Sequence, residues 1–61
     1  AREREVLHQI ARGASNHDIA ERLALRPKTV RNHVYRIFDK LAVTSRGQAI
    51  VRARDAGFGR P

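Results

Sequence analysis

Sixty-one residues make one small domain, and at this size a chain buries only about 60% of the surface its unfolded form exposes, so no catalytic cavity can be walled off from water. Thirteen Lys and Arg against six Asp and Glu give a net charge of +7 and a sequence pI of ≈ 11.6, which points to an anionic partner. The absence of cysteine excludes a disulfide, a Cys-based zinc site and a thiol nucleophile, and no apolar run approaches the ~18 residues of a membrane span or forms a signal region.

Val6, Leu7, Ile10 and Ala11 recur on one helical face and Gly13 follows, where a helix ends in the left-handed conformation. A first helix is predicted over roughly 2–12. Ser15 and Asp18 form a Ser-x-x-Asp capping pair ahead of Ile19, Ala20 and Leu23, which predicts a second helix over about 16–24. Pro27 cannot continue that helix, yet its fixed φ suits the first position of a new one, and it pushes Arg26 out of the helical region. From there Val30, Val34, Ile37 and Leu41 recur at helical steps with Phe38 beside them, giving a third helix of about four turns to residue 41. Thr44 or Ser45 is the cap expected for a fourth helix, about 45–56, with Ala49, Ile50, Ala53 and Ala56 as its buried face and Gly57 as its stop. No strand pattern, repeat or low-complexity segment interrupts this series. The expected class is all-α, a compact four-helix domain over 1–61, with a helix-turn-helix over about 16–41.

With the apolar stripe of the third helix turned inward, its opposite face carries Lys28, Asn32, Tyr35, Arg36 and Asp39, flanked by Arg31 on one side and Thr29, His33 and Lys40 on the other. Arg and Asn have the donor geometry that reads purine edges in the major groove, whereas Lys, Thr and His suit phosphate oxygens. The charge is concentrated in the same place. Residues 1–25 carry four basic and four acidic groups, 26–40 five and one, and 41–61 four and one. Nucleic acid is the partner this distribution favours over a merely solvated face.

Five blocks along the chain resemble a known family: Arg2-Glu3-Arg4-Glu5-Val6-Leu7, Gly13-Ala14-Ser15-Asn16-His17-Asp18-Ile19-Ala20, Lys28-Thr29-Val30-Arg31-Asn32-His33-Val34, Lys40-Leu41 and Ser45-Arg46-Gly47-Gln48-Ala49. Together, in order and without gaps, they look like the LuxR-type (LuxR/FixJ) helix-turn-helix. The resemblance implies a C-terminal DNA-binding domain of a bacterial transcription regulator, attached to a receiver or ligand-sensing domain and dimerising through its fourth helix. It implies base contacts at Arg31, Asn32 and Tyr35 and phosphate contacts at Ser15, Asn16, Lys28, Thr29 and Lys40, in agreement with the helical wheel. To the phosphate set the wheel and the turn add Arg26, His33 and Arg36. One position departs from the family. Ser commonly precedes the proline, whereas Arg26 is a poor cap whose charge opposes the helix dipole; either the helix starts more loosely, or Arg26 reaches a phosphate when DNA is present. The family's Leu-Thr pair ahead of the first block is missing, and there is no initiator Met, so a fragment of a longer chain is expected.

Other residue combinations carry less. His8, His17 and His33 have no metal-ligand spacing and are expected at the surface, and Ser15 with Asp18 is accounted for as a cap, so no enzyme, metal or cofactor is expected. Glu3 or Glu5 is expected to pair with Arg46 across the domain, and Tyr35 is assigned to the groove, with a half-buried edge position as the alternative. In the fourth helix Gly47, Val51 and Arg54 form a narrow outer strip, assigned to a dimer contact that is weak in isolation. The expected partners are DNA, a second copy of the chain and RNA polymerase, with no membrane, in the bacterial cytoplasm at the nucleoid. Two rival functions stand beside this one. A sigma-factor promoter-binding domain shares the opening Arg-Glu-x-Glu-Val-Leu, the Ile-Ala and the Thr-Val-Arg blocks but lacks the fourth helix, and a basic amphipathic membrane-surface peptide would have no Gly13 or Pro27 to break it.

Overall fold

The computed structural model describes residues 2–60, and among these it forms α1 (Arg2–Ala11), α2 (Asn16–Leu23), α3 (Pro27–Leu41) and α4 (Arg46–Asp55), with no strand. The all-α class and the order of elements are those expected, each boundary within about one residue. The two ends of the expected 1–61 span, Ala1 and Pro61, lie outside the described residues.

Capping chemistry sets the helix starts. Ser15 Oγ accepts from the Asp18 amide at 3.1 Å while the Ser15 amide donates to Asp18 Oδ2 at 3.2 Å, the reciprocal box that satisfies two orphan donors at the head of α2. Ser45 Oγ accepts from the Gln48 amide at 3.2 Å, and the Thr44 amide donates to Gln48 Oε1 at 3.0 Å, so both residues expected as caps take part in starting α4. At α3, Pro27 is the first helical residue and Arg26 is extended (φ −73°, ψ 147°) with no side-chain cap.

All four helices end in the same way. The Ala14 amide reaches Gln9 O (3.1 Å), Leu25 reaches Ala20 O (2.9 Å), Val43 reaches Phe38 O (3.1 Å) and Phe58 reaches Ala53 O (3.0 Å), each bond spanning five residues as in a Schellman closure. The left-handed residue is Gly13 (φ +84°) after α1 and Gly57 (φ +92°) after α4, but Ala24 and Ala42, both at φ +54°, after α2 and α3.

Ile10, Ile19, Ile37, Val6 and Val30 are fully buried, joined by Ala11, Ala14, Ala20, Val34, Ala49 and Ala53. Leu7, Leu23, Leu25, Phe38, Leu41, Val43 and Ile50 close the edges as half-buried residues. α3 packs against α1, α2 and α4, while α4 lies mainly on α1. The Cα radius of gyration of 10.3 Å equals the compact limit of about 10.5 Å for this length. Ala56, expected on the buried face of α4, is instead its exposed C-cap. The helix stops one residue short of it, because the chain turns through Gly57.

Beyond Gly57 the chain folds back on α1. The Gly59 amide donates to His8 Nδ1 at 3.2 Å, and the Arg4 guanidinium lies 5.9 Å from the centre of the Phe58 ring. Gly59 has φ +83°, and a Cβ on it would come within 2.8 Å of Ala11 Cβ, so this return requires glycine. His8, expected at the surface, is half-buried under this tail because its ring supplies the acceptor that Gly59 needs.

Candidate nucleic-acid interface

The outward face of α3 carries Lys28, Arg31, Asn32, Tyr35, Arg36 and Asp39, all exposed, with Tyr35 at 64% of its full accessibility. The inward stripe of Val30, Val34 and Ile37 is buried, so the orientation of the outer face is fixed by burial and not by the basic residues themselves. Among the described residues, no carboxylate lies within ion-pair distance of Lys28, Arg31 or Arg36. The first turn of α3 has no acidic residue, and its amides, Lys28, Arg26 and the macrodipole make that end positive together. Thr29 sits half-buried at the edge of this face and Arg26 is exposed at its start.

The head of α2 lies beside the start of α4 through one arginine. Arg46 Nη1 donates to Asn16 Oδ1 at 2.6 Å and Arg46 Nη2 donates to Ala14 O at 2.7 Å. Partial burial pushes the Arg46 guanidinium below its ordinary value. The expected pairing of Arg46 with Glu3 or Glu5 is overturned: Glu3 faces the end of α3, where its Oε1 holds Lys40 Nζ at 2.8 Å, and Glu5 Oε2 holds Arg2 of its own helix at 2.7 Å. Ser15 is exposed and Asn16 half-buried, next to each other where α2 begins. The Ser15 backbone amide, followed by its hydroxyl, holds the Asp18 carboxyl below its ordinary range.

Lys40 and His33 differ from their expected form. Lys40 carries an intramolecular partner, whose hydrogen bond is the main cause of the lowered pKa of Glu3, with the charges of Lys40, His33 and Arg36 adding to it. His33 is half-buried and not a plain surface residue, and its Nδ1 is buried with no hydrogen-bond partner among the described residues.

The family model described as "Bacterial regulatory proteins, luxR family" matches residues 1–53. The chain belongs to the luxR family. Its relatives include the CsgBAC operon transcriptional regulatory protein of Escherichia coli strain K12, 44% identical over 88% of this chain and 25% of that protein. The probable transcriptional regulatory protein NarL of Mycobacterium tuberculosis is 49% identical over 87% of this chain and 24% of its own length. The transcriptional regulatory protein DesR of Bacillus subtilis is 40% identical over 93% and 29%. The chain thus spans about a quarter of the length of these relatives. No solved structure matches it.

In this luxR-family domain α4 presents Val51 at 58% exposure over an open groove of ≈ 540 Å³ between α4 and the α3–α4 turn, with Ala42, Val43 and Gly47 on its walls. A Cβ built on Gly47 meets nothing within 4 Å, so packing inside the chain does not require glycine there. Arg54, assigned with them to an outer strip, turns its Nε onto Ala11 O at 2.8 Å and caps the end of α1. A tie through Arg46 is legible in the sequence but its acceptors, Asn16 Oδ1 and Ala14 O, are not, and the tie through Arg54 is not legible at all, because a backbone carbonyl is an acceptor that no residue type announces.

Proposed function

We propose that this domain binds double-stranded DNA sequence-specifically within a bacterial transcription regulator, with α3 in the major groove. The exposed, unpaired cations of α3 carry the reading. Lys28, Arg31 and Arg36 have no carboxylate partner among the described residues, and an unneutralised row on one helix is suited to a phosphate ladder. Arg31, Asn32 and Tyr35 read base edges, while Ser15, Asn16, Arg26, Lys28, Thr29, His33, Arg36 and Lys40 hold phosphates on either side. Membership of a family of bacterial regulatory proteins and the naming of its relatives as transcriptional regulators support this reading. α4, which separates this layout from that of a sigma-factor end, is the proposed pairing surface, and the whole regulator has RNA polymerase as a further partner.

The test is a salt titration. About four neutralised phosphates give a slope of log affinity against log salt near −4, and a salt-independent interaction would refute the charge reading. Pairing is tested on a duplex with two half-sites about 10 bp apart. The open side of Gly47 and the exposure of Val51 fit a close neighbour outside the chain. Val51→Glu is expected to abolish cooperative binding to two half-sites while single half-sites still bind, and unchanged cooperativity over a protein titration removes α4 as the contact.

A further inference from the structure

The hydrogen bonds at the head of α2 set the direction of one side chain that faces the proposed duplex. An arginine guanidinium only donates, so the atom of the Asn16 amide facing Arg46 at 2.6 Å has to be the oxygen. The other end of the amide, its NH2, then points away from Arg46. The guanidinium is held in turn by its second bond, to Ala14 O at 2.7 Å, on a residue that is itself buried. Arg46 comes from the first position of α4, thirty residues along the chain from Asn16, so this end of α4 is clamped to the loop that opens α2.

A free asparagine amide turns between two orientations of nearly equal size, one offering a donor and the other an acceptor. Only the donor is useful against a phosphate. We infer that Arg46 is a positioning residue for nucleic-acid binding: it touches no DNA, and it locks the Asn16 amide with its NH2 turned outward, as a ready phosphate donor beside the Ser15 hydroxyl. The inference rests on the proposed placement of the head of α2 against the DNA backbone and extends it to a residue on another helix. The two separate acceptors also suit an arginine at this position. A lysine keeps the charge, but its three donors sit on one atom at the end of a flexible stem, so it does not reproduce the rigid, spaced pair by which Nη1 and Nη2 hold an amide oxygen and a carbonyl.

Arg46→Lys, Asn16→Ala, their double variant, Asn16→Asp and Lys28→Ala are titrated with one duplex, each after its folded fraction has been measured by thermal melting. Arg46→Lys and Asn16→Ala are each expected to lose about tenfold in affinity, the scale of one hydrogen bond to a charged group, and the double variant to lose no more than either alone. Asn16→Asp gives Arg46 a better acceptor and the duplex no donor, so it should melt no lower than the parent and bind at least tenfold more weakly. In the free protein, nitrogen-15 relaxation should show the Asn16 side-chain amide rigid in the parent and mobile in Arg46→Lys. Losses that multiply in the double variant, an Asn16→Asp protein that binds like the parent, or an amide equally mobile in both proteins overturns the inference. Lys28→Ala separates the two levels. If it weakens binding while Asn16→Ala does not, the groove reading stands and the role of Arg46 falls; if neither has any effect, both fall.

Discussion

Most cations of the other helices are tied to the fold, whereas Lys28, Arg31 and Arg36 on the outer face of α3 are not paired with a carboxylate among the described residues. Outside α3, Arg2 is held by Glu5, Arg22 by Gln9 Oε1 at 2.8 Å, Arg46 by Asn16 and Ala14, and Arg54 by Ala11 O, while Arg4 lies over Phe58. A net charge of +7 therefore overstates the cationic surface: part of it ties helices together in a domain whose α4 buries only Ala49 and Ala53 fully. Arginine replaces there the apolar area that alanine cannot supply. What marks the proposed interface is the gathering of unused cations on one helix face, since a single exposed cation such as Arg52 of α4 also has no side-chain partner among the described residues.

A crossed pair of variants separates the two sets of cations most strongly. Arg46→Ala leaves a part-buried carbonyl and amide unsatisfied and should destabilise the fold by about 1–3 kcal/mol, lowering Tm by roughly 4–8 °C for each kcal/mol. Arg31→Ala should leave Tm unchanged and cost about 1–3 kcal/mol of binding at particular base pairs only. Melting curves and duplex selection on both proteins check this; an Arg31→Ala protein that melts lower than the parent would place that residue in the scaffold.

Next in size is the head of α2. Asp18 is held below its ordinary range first by the Ser15 amide, and Glu3 first by Lys40. A carboxyl with a lowered folded pKa stabilises the fold above its unfolded pKa, and the contribution is lost as pH falls through the folded value, so stability should fall below about pH 4. Asp18→Ala removes the carboxylate that accepts from the Ser15 amide at 3.2 Å and should lower Tm near neutral pH, and the loss should shrink in acid, where a protonated Asp18 is the weaker acceptor in the parent. Equal losses at pH 7 and pH 3 in thermal melts would detach Asp18 from the cap.

These cases also show what the sequence makes legible. The Val30, Val34 and Ile37 period, the Ser15–Asp18 box and the Arg26–Pro27 break follow from side-chain type and spacing, so the four helices and the outward face of α3 could be read directly. The partner of Arg46 could not, because sequence reasoning looks for an opposite charge and the fold supplied Ala14 O and Asn16 Oδ1. The return of Gly59 onto His8 was equally hidden, since it depends on where α4 ends over α1. Ala56 failed for a local reason, as a helical period carries one residue past the point where the chain has already turned.

Lys40 belongs to both sets, lying on α3 yet held by Glu3 at 2.8 Å. Glu3→Gln keeps the shape, removes a negative charge beside the interface and frees the ammonium. Duplex affinity should rise a few-fold, and the salt slope should steepen by up to about one. No change in slope would mean that Lys40 serves α1 and not DNA.

The smallest effect is at the helix ends on either side of α3. α1 and α4 turn through Gly13 and Gly57, but α2 and α3 turn through Ala24 and Ala42 at φ +54°, where a Cβ costs roughly 1–2 kcal/mol. Glycine would remove that strain and lose about 0.5–1 kcal/mol to the greater freedom of the unfolded chain. Both alanines are exposed, so no packing is lost with the methyl group. Ala24→Gly and Ala42→Gly should therefore each stabilise by a few tenths up to about 1 kcal/mol, read as a higher midpoint in urea at unchanged m-value. Neither turn supplies a cation, so duplex affinity should stay at the parent value. A gain in stability that came with weaker binding would mean that the strained turns hold α3 at the angle the groove requires, and that scaffold and interface are not separable at the ends of this helix.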